Sequence, residues 1–135
     1  MLFRSKVSYA TLLQIYFSVA HDPTQLNYQG PDHGTQYRSA IFYTSDAQKQ
    51  TAERYIAQLD AAKLYPGKIV TQIVPLPEFF AAEGYHQDYL TLHPASGYIE
   101  HFDLPKIANL KALFPQQYRA EPALVTARAQ AAAGK

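Results

Sequence analysis

No cysteine and no tryptophan occur among the 135 residues, and methionine occurs once. The absence of cysteine excludes disulfides, thiolate metal sites and a cysteine nucleophile within these residues, and it is compatible with either redox compartment. Charge is sparse at 17%, and the formal net charge of +1 gives no electrostatic reason to expect a nucleic-acid partner. No apolar run approaches the roughly 20 residues that span a bilayer, so no membrane partner is expected. The opening Met1-Leu2-Phe3-Arg4-Ser5-Lys6 has neither the apolar core nor the cleavage site of a signal peptide, which makes the cytoplasm the default location. Nor is there a Gly-x-Ser-x-Gly or a His-Glu-x-x-His. His86, His93 and His101 are spaced by seven and eight, and His21 and His33 flank a loop. None of these spacings matches a metal site, so neither a metal nor another cofactor is expected.

What is present has the composition of a folded domain. Hydrophobic residues make up 47% of a length that can bury a substantial core. Eleven tyrosines supply aromatic bodies with hydroxyl tips, some of which could line a polar pocket. Tyr9, Leu12, Leu13, Tyr16, Val19 and Ala20 recur at helical spacing, with Ser8 or Ser5 as cap and Asp22-Pro23 as terminator. Met1-Leu2-Phe3 before it reads as the stump of a strand. Ser39 to Thr44 is a short β-forming run whose continuous hydrophobicity predicts cover on both faces.

Ser45-Asp46-Ala47-Gln48 matches a capping box and predicts a helix from about Asp46 to Lys63, burying Ala52, Tyr55, Ile56, Leu59 and Ala62. Lys68 to Val74 reads as a strand closed by Pro75, Ala82 to Tyr89 as a short helix, and Gly97 as a turn. Asp103-Leu104-Pro105 predicts a capped helix with Ile107, Leu110 and Leu113 inward. From Arg119 an Ala-rich tail is expected to be flexible. Alternating helices and strands imply an α/β or α+β domain over residues 1–118, a mixed sheet with helical cover. Two clear strands make a poor sheet, so the domain is expected to be incomplete on its N-terminal side.

The most distinctive stretch runs from His21 to Ser39. It is polar, contains Gly30 and Gly34, and is longer than the usual connection, which points to an ordered functional loop. Asp32, Tyr37 and Arg38 lie in it; Glu83, Tyr85, His86, Asp88 and Tyr89 lie in a second aromatic segment. Should the two segments face one another, a carboxylate, a histidine and several phenols would suit a strongly polar oxygen. The plainer reading stands beside it, with Asp32 forming a turn and Tyr37 at a strand edge.

The wording of these segments is more specific than their chemistry. His21-Asp22-Pro23-Thr24-Gln25-Leu26-Asn27, Gln29-Gly30, Asp32 and Gly34-Thr35-Gln36-Tyr37-Arg38-Ser39 strongly resemble the A-type peptide methionine sulfoxide reductases. The likeness continues in Ala40-Ile41-Phe42-Tyr43, Glu83-Gly84-Tyr85-His86-Gln87-Asp88-Tyr89-Leu90 and Asp103-Leu104-Pro105-Lys106, so that it spans Lys6 to about Tyr118. It implies a two-layer α/β sandwich with a ferredoxin-like core that reduces the S epimer of methionine sulfoxide, free or in proteins, with thioredoxin as the usual electron donor. In that family a cysteine thiolate attacks the sulfoxide sulfur and becomes a sulfenic acid that later thiols resolve. Carried over by motif, Asp32 matches the active-site aspartate and Tyr37 an oxygen-binding tyrosine, while His86, Tyr89 and Tyr98 match positions lining the pocket.

The departures concern the chemistry itself. The family's Gly-Cys-Phe-Trp motif, a second tyrosine and a glutamate belong upstream of the loop and are not in these residues. Tyr28 stands where arginine is common, and Ile99 follows Tyr98 where many members place a resolving cysteine. No serine or tyrosine replaces the thiolate, whose nucleophilicity and redox ladder are the mechanism. The chain as given is therefore expected to be inactive. Three accounts follow: the C-terminal two-thirds of a reductase (cut from a longer protein or misread at its start), a short protein that binds methionine sulfoxide or a protein without turnover, and a decaying gene product.

Overall fold

A computed structural model describes residues 6–125, so the expected strand stump at Met1-Leu2-Phe3 and the last ten residues of the Ala-rich tail lie outside the described residues. The chain divides into two compact units, Met1–Glu78 and Phe79–Lys135.

In the first unit, Ser8 opens helix α1 (Tyr9–Ile15) by accepting the Thr11 amide on its hydroxyl at 3.1 Å, which satisfies one free donor of the first turn. The helix then widens into a π-helical turn over Tyr16–Ala20. The expected stripe is only partly realised, because Leu13 and Phe17 are buried while Ala20 is exposed. The stretch that follows is not structureless. Two short antiparallel strands, β1 (Tyr28–Gln29) and β2 (Asp32–His33), form a hairpin, and a 3-10 turn covers Thr35–Tyr37.

Strand β3 (Ala40–Tyr43) pairs in parallel with β4 (Gln72–Pro75), joined through helix α2 (Asp46–Ala61), so the unit is built on a β-α-β crossover. Ile41 of β3 is buried but Phe42 is 49% exposed, which corrects the expectation of cover on both faces. β4 starts later than the apolar run suggested. The amides of Ile69 and Val70 are taken by Asp60 Oδ1 (3.4 Å) and the Pro23 carbonyl (2.8 Å) rather than by a strand ladder. Pro75 is the last paired residue, opposite Tyr43, because a proline at a strand end costs no ladder donor.

The capping box of α2 is half as expected. Ser45 Oγ accepts the Gln48 amide at 3.3 Å, but Gln48 Oε1 accepts from the amide and hydroxyl of Thr44, one residue before the cap. Ala52 and Leu59 are buried with Leu13, Phe17, Ile41 and Ile69 in one core, against which Tyr9, Tyr16, Tyr55, Ile56, Tyr65 and Ile73 pack. Ala62 is exposed, outside the helix that ends one residue earlier.

Over its described residues the second unit has helical turns and helices joined by irregular segments, and no strand. A helix over Ala82–Tyr89 does not form; a 3-10 turn covers Gly84–His86 and a single α-helical turn, α3, covers Tyr89–Leu92. Asp88 stands between them in the left-handed region (φ 56°), which no helix passes through. Gly97 lies inside helical structure rather than at a turn, which falls at Pro94-Ala95. The chain then runs through a π-helical stretch, Ile99–Asp103, into α4 (Leu104–Leu113). Asp103 is consequently helical itself and does not cap; its carboxylate accepts from Lys106 Nζ at 3.1 Å. The inward stripe of α4 is also corrected, since Ile107 is 38% and Leu113 61% exposed. Within the expected tail, the Val125 amide donates to Asp88 Oδ1 at 3.0 Å. No helix among the described residues is long and apolar enough to cross a membrane.

Candidate functional site

The loop from His21 to Ser39 is ordered by its own amides. Asp22 Oδ1 accepts from both the amide (2.9 Å) and the hydroxyl (2.6 Å) of Thr24, closing a local turn around the buried Pro23. The Gln29 side chain then bridges back seven residues. Its Nε2 donates to the Asp22 carbonyl at 2.8 Å while its Oε1 accepts the Asp22 amide at 3.1 Å, so one side chain satisfies both backbone groups of that residue. Gln25 Oε1 accepts the Gly30 amide at 2.9 Å, and the Asn27 carbonyl accepts the Gly34 amide at the same distance.

Backbone conformation fixes where the two candidate residues stand. The hairpin turns on Gly30-Pro31, with Gly30 at φ 57°, a sign that glycine supplies at little cost at the first position of a two-residue turn. Asp32 follows at once, paired across the hairpin with Gln29, while the rings of Tyr28 and His33 stack at 5.0 Å in the other pair. Gly34 (φ 134°) then redirects the chain into the 3-10 turn, whose last residue is Tyr37, 39% exposed. The Arg38 guanidinium donates to the Thr35 carbonyl at 2.7 Å and closes that turn.

A Cβ at position 34 would meet the Gln36 side-chain amide, which is exposed and can move, so the larger cost of Gly34→Ala is backbone strain. We expect that variant to be destabilised by about 1–3 kcal/mol, read as a lower melting temperature. An unchanged melt would show that the chain tolerates another conformation there.

Both ends of this loop are tied to the same short segment. His21 stacks on Tyr16 with ring centroids 3.9 Å apart and 23° between planes. Its Nδ1 lies 3.0 Å from the Tyr16 carbonyl and its Nε2 3.2 Å from Thr71 Oγ1. A carbonyl only accepts, so Nδ1 carries the proton and Nε2 accepts from the Thr71 hydroxyl. Thr71 Oγ1 is in turn 2.9 Å from the hydroxyl of the buried Ser39. Burial lowers the His21 pKa from its ordinary 6.5, against smaller opposing effects of the Tyr16 carbonyl and the Asp22 charge. Burial likewise raises the pKa of Tyr16, whose hydroxyl donates to the Ala40 carbonyl at 3.3 Å. His21 and Ser39 bound the distinctive stretch in the sequence, but no joint role with Thr71 is legible there. The available signal was three polar residues in otherwise apolar strand and helix ends.

The remaining candidates belong to the second unit. His86 ends the 3-10 turn with its Nε2 3.8 Å from Glu83 Oε2 and its ring 4.3 Å from that of Tyr85. Tyr89 opens α3 beside His93, and Tyr98 lies 5.0 Å from Phe102, ring to ring. The three are thus on successive turns of one unit, and Asp32 and Tyr37 on one hairpin and turn of the other. Among the described residues no group of His, Asp and Glu is placed to hold a metal ion.

Residues 3–118 match the family model described as Peptide methionine sulfoxide reductase. The chain belongs to that family. Among curated relatives of the peptide methionine sulfoxide reductase family, "Peptide methionine sulfoxide reductase MsrA 2" of Mesorhizobium japonicum is 64% identical over 121 residues, covering 90% of this chain and 62% of the relative. The protein of the same name from Synechocystis is 44% identical over 117 residues, covering 87% and 55%. The chain therefore spans a little over half the length of these curated relatives. Of solved structures, reduced Mxr1 from Saccharomyces cerevisiae superposes with a TM-score of 0.63 at 39% identity, over 70% of this chain and 50% of that one. The methionine sulfoxide reductase A of Corynebacterium diphtheriae gives 0.54 at 40% identity, over 67% and 47%. These likenesses agree with a mixed α/β fold.

Proposed function

We propose that this chain carries the substrate-oxygen side of a peptide-methionine (S)-S-oxide reductase site. Tyr37 donates its phenol to the sulfoxide oxygen, Asp32 is the active-site carboxylate on the same loop, and His86, Tyr89 and Tyr98 bind substrate. The substrate is methionine sulfoxide in proteins or as the free amino acid, and thioredoxin is the reductant of the complete reaction. The observation that supports this most is local: a loop whose backbone is fixed by the Gln25 and Gln29 side chains and turned at Gly30 and Gly34 presents Asp32 and the partly exposed Tyr37 five residues apart. A hydrogen-bond donor fixed in advance is what a strongly polar oxygen requires.

The same reading says what the chain does not supply. Reduction of the sulfoxide needs a thiolate to take the oxygen from sulfur, leaving the thioether and a sulfenic acid, and these 135 residues contain no cysteine. Incubated with a methionine sulfoxide peptide and dithiothreitol, the chain should yield no methionine above a protein-free control. Measurable turnover would sink the thiolate mechanism for it. A second reading, binding without turnover, is favoured by the fact that the loop's hydrogen bonds close within the chain. Calorimetry with the same peptide tests it, and no heat at millimolar ligand would count against both the binding reading and the residue assignments.

A further inference from the structure

Three consecutive residues, Val70-Thr71-Gln72, reach both stems of the site loop. The Val70 amide donates to the Pro23 carbonyl (2.8 Å) on the entering stem, and the Gln72 amide donates to the Ser39 carbonyl (3.0 Å) on the leaving one. Between them the Thr71 hydroxyl stands between His21 Nε2 (3.2 Å) and Ser39 Oγ (2.9 Å), so the residues bracketing the loop are joined through one oxygen. Position and chemistry agree along the whole path. The Tyr16 carbonyl fixes the tautomer, Nε2 accepts the Thr71 proton, and the Ser39 hydroxyl donates to Thr71 Oγ1. A loop closed at its base in this way has fewer conformations open to it than one tethered by its ends alone.

We propose that His21, Thr71 and Ser39 are positioning residues: a side-chain clasp across the base of the loop that holds the segment carrying Asp32 and Tyr37 in its ordered form. Its functional meaning rests on the assignment of Asp32 and Tyr37 to the sulfoxide site, but the clasp is tested without substrate. Only the side-chain bonds are claimed to be needed for loop order; the two backbone bonds alone do not suffice.

The test is amide hydrogen exchange by NMR on the 135-residue chain. The Gly34 and Gly30 amides report on the loop, being bonded to the Asn27 carbonyl and Gln25 Oε1, and the Ala62 amide, bonded to the Gln58 carbonyl, reports on the end of α2 in the same unit. In Thr71→Val, which keeps the shape and removes the hydroxyl, Gly34 and Gly30 should lose protection by about tenfold more than Ala62 does. Thr71→Ser should restore it. Equal losses at Gly34 and Ala62 would reduce the trio to ordinary stability, and no loss at Gly34 would overturn the clasp outright. Should Thr71→Val not fold, Ser39→Ala removes the far end of the same chain and is read by the same difference. A wild-type Gly34 signal indifferent to a methionine sulfoxide peptide would count against the oxygen-site assignment and leave the clasp standing.

Discussion

Phe17→Ala is expected to lower the melting temperature of the first unit by roughly 15–30 °C, or to leave it unfolded at room temperature. Phe17 is 2% exposed and lies where the aromatic contacts of the unit cross. Its ring meets Tyr16 edge-on at 5.4 Å, His21 at 5.4 Å and Tyr55 at 5.7 Å. Removing a buried phenyl costs about 3–5 kcal/mol in lost transfer energy and cavity. Whole domains are stable by only about 5–15 kcal/mol, so little reserve would remain.

The location sharpens the effect. Phe17 sits in the π-helical turn, and its carbonyl accepts the Tyr65 hydroxyl at 2.6 Å, so slack in the ring's cavity also loosens the hydrogen bond that holds the α2–β4 connection. Phe42→Ala is the matched control. That ring is half exposed, and its loss should cost only about 1 kcal/mol. Thermal melts of both variants decide the matter: a Phe17→Ala melt within a few degrees of Phe42→Ala would mean the core is centred elsewhere.

Local rules carried the sequence reading where a single residue settles the outcome. Ser8 and Ser45 are caps because each hydroxyl reaches an amide three residues on, a geometry within one turn. The α2 stripe, Ala62 apart, follows from periodicity; the parallel pairing of the two apolar runs, which the sequence reading did not specify, is what the crossover helix between them requires. The reading failed where the next segment decides. Asp103 has every attribute of a cap, but the chain arrives there already helical through Ile99–Asp103, and the preceding carbonyls leave it no turn to open. Ile107 and Leu113 were expected inward because a helical stripe needs a partner; among the described residues they stay 38% and 61% exposed, and no rule of spacing supplies a partner.

The site divides in the same way. Asp32 and Tyr37 were named because their motif is specific, not because their chemistry was. The hairpin that holds Asp32 was not read, since two strands of two residues leave no alternation to detect. Gln29 could not be identified as the strut of the loop either. It works by reaching a backbone seven residues away, and no propensity encodes that. His21 is the sharpest case. Next to Asp22-Pro23 it reads as the end of a helix, and it is that, but its ring is also the inner end of a polar chain that exists only once Thr71 and Ser39 have been brought beside it.

That ring makes the chain acid-sensitive in a defined window. Burial lowers the His21 pKa below 6.5, so in the unfolded chain the imidazole takes up its proton at a higher pH than in the folded one. Above 6.5 both states are neutral and the contribution is fully present. As the pH falls from there through the lowered folded value, the unfolded state binds more protons and stability drains away, by at most about 1.4 kcal/mol per pH unit and less to the extent that water reaches the ring. The structural reason is explicit: a protonated Nε2 becomes a donor facing Thr71 Oγ1, and that hydroxyl, which has been donating to the ring, must turn. For a unit of this size that ceiling corresponds to roughly 5–10 °C of melting temperature per pH unit, and the fall below 6.5 should stay within it. In His21→Gln, which cannot titrate, the melt should start lower at neutral pH and lose this part of the slope. Parallel melting curves for wild type and His21→Gln between neutral pH and pH 5 would remove His21 as the source of acid sensitivity, and with it the claim that the neutral ring is what the folded loop base requires.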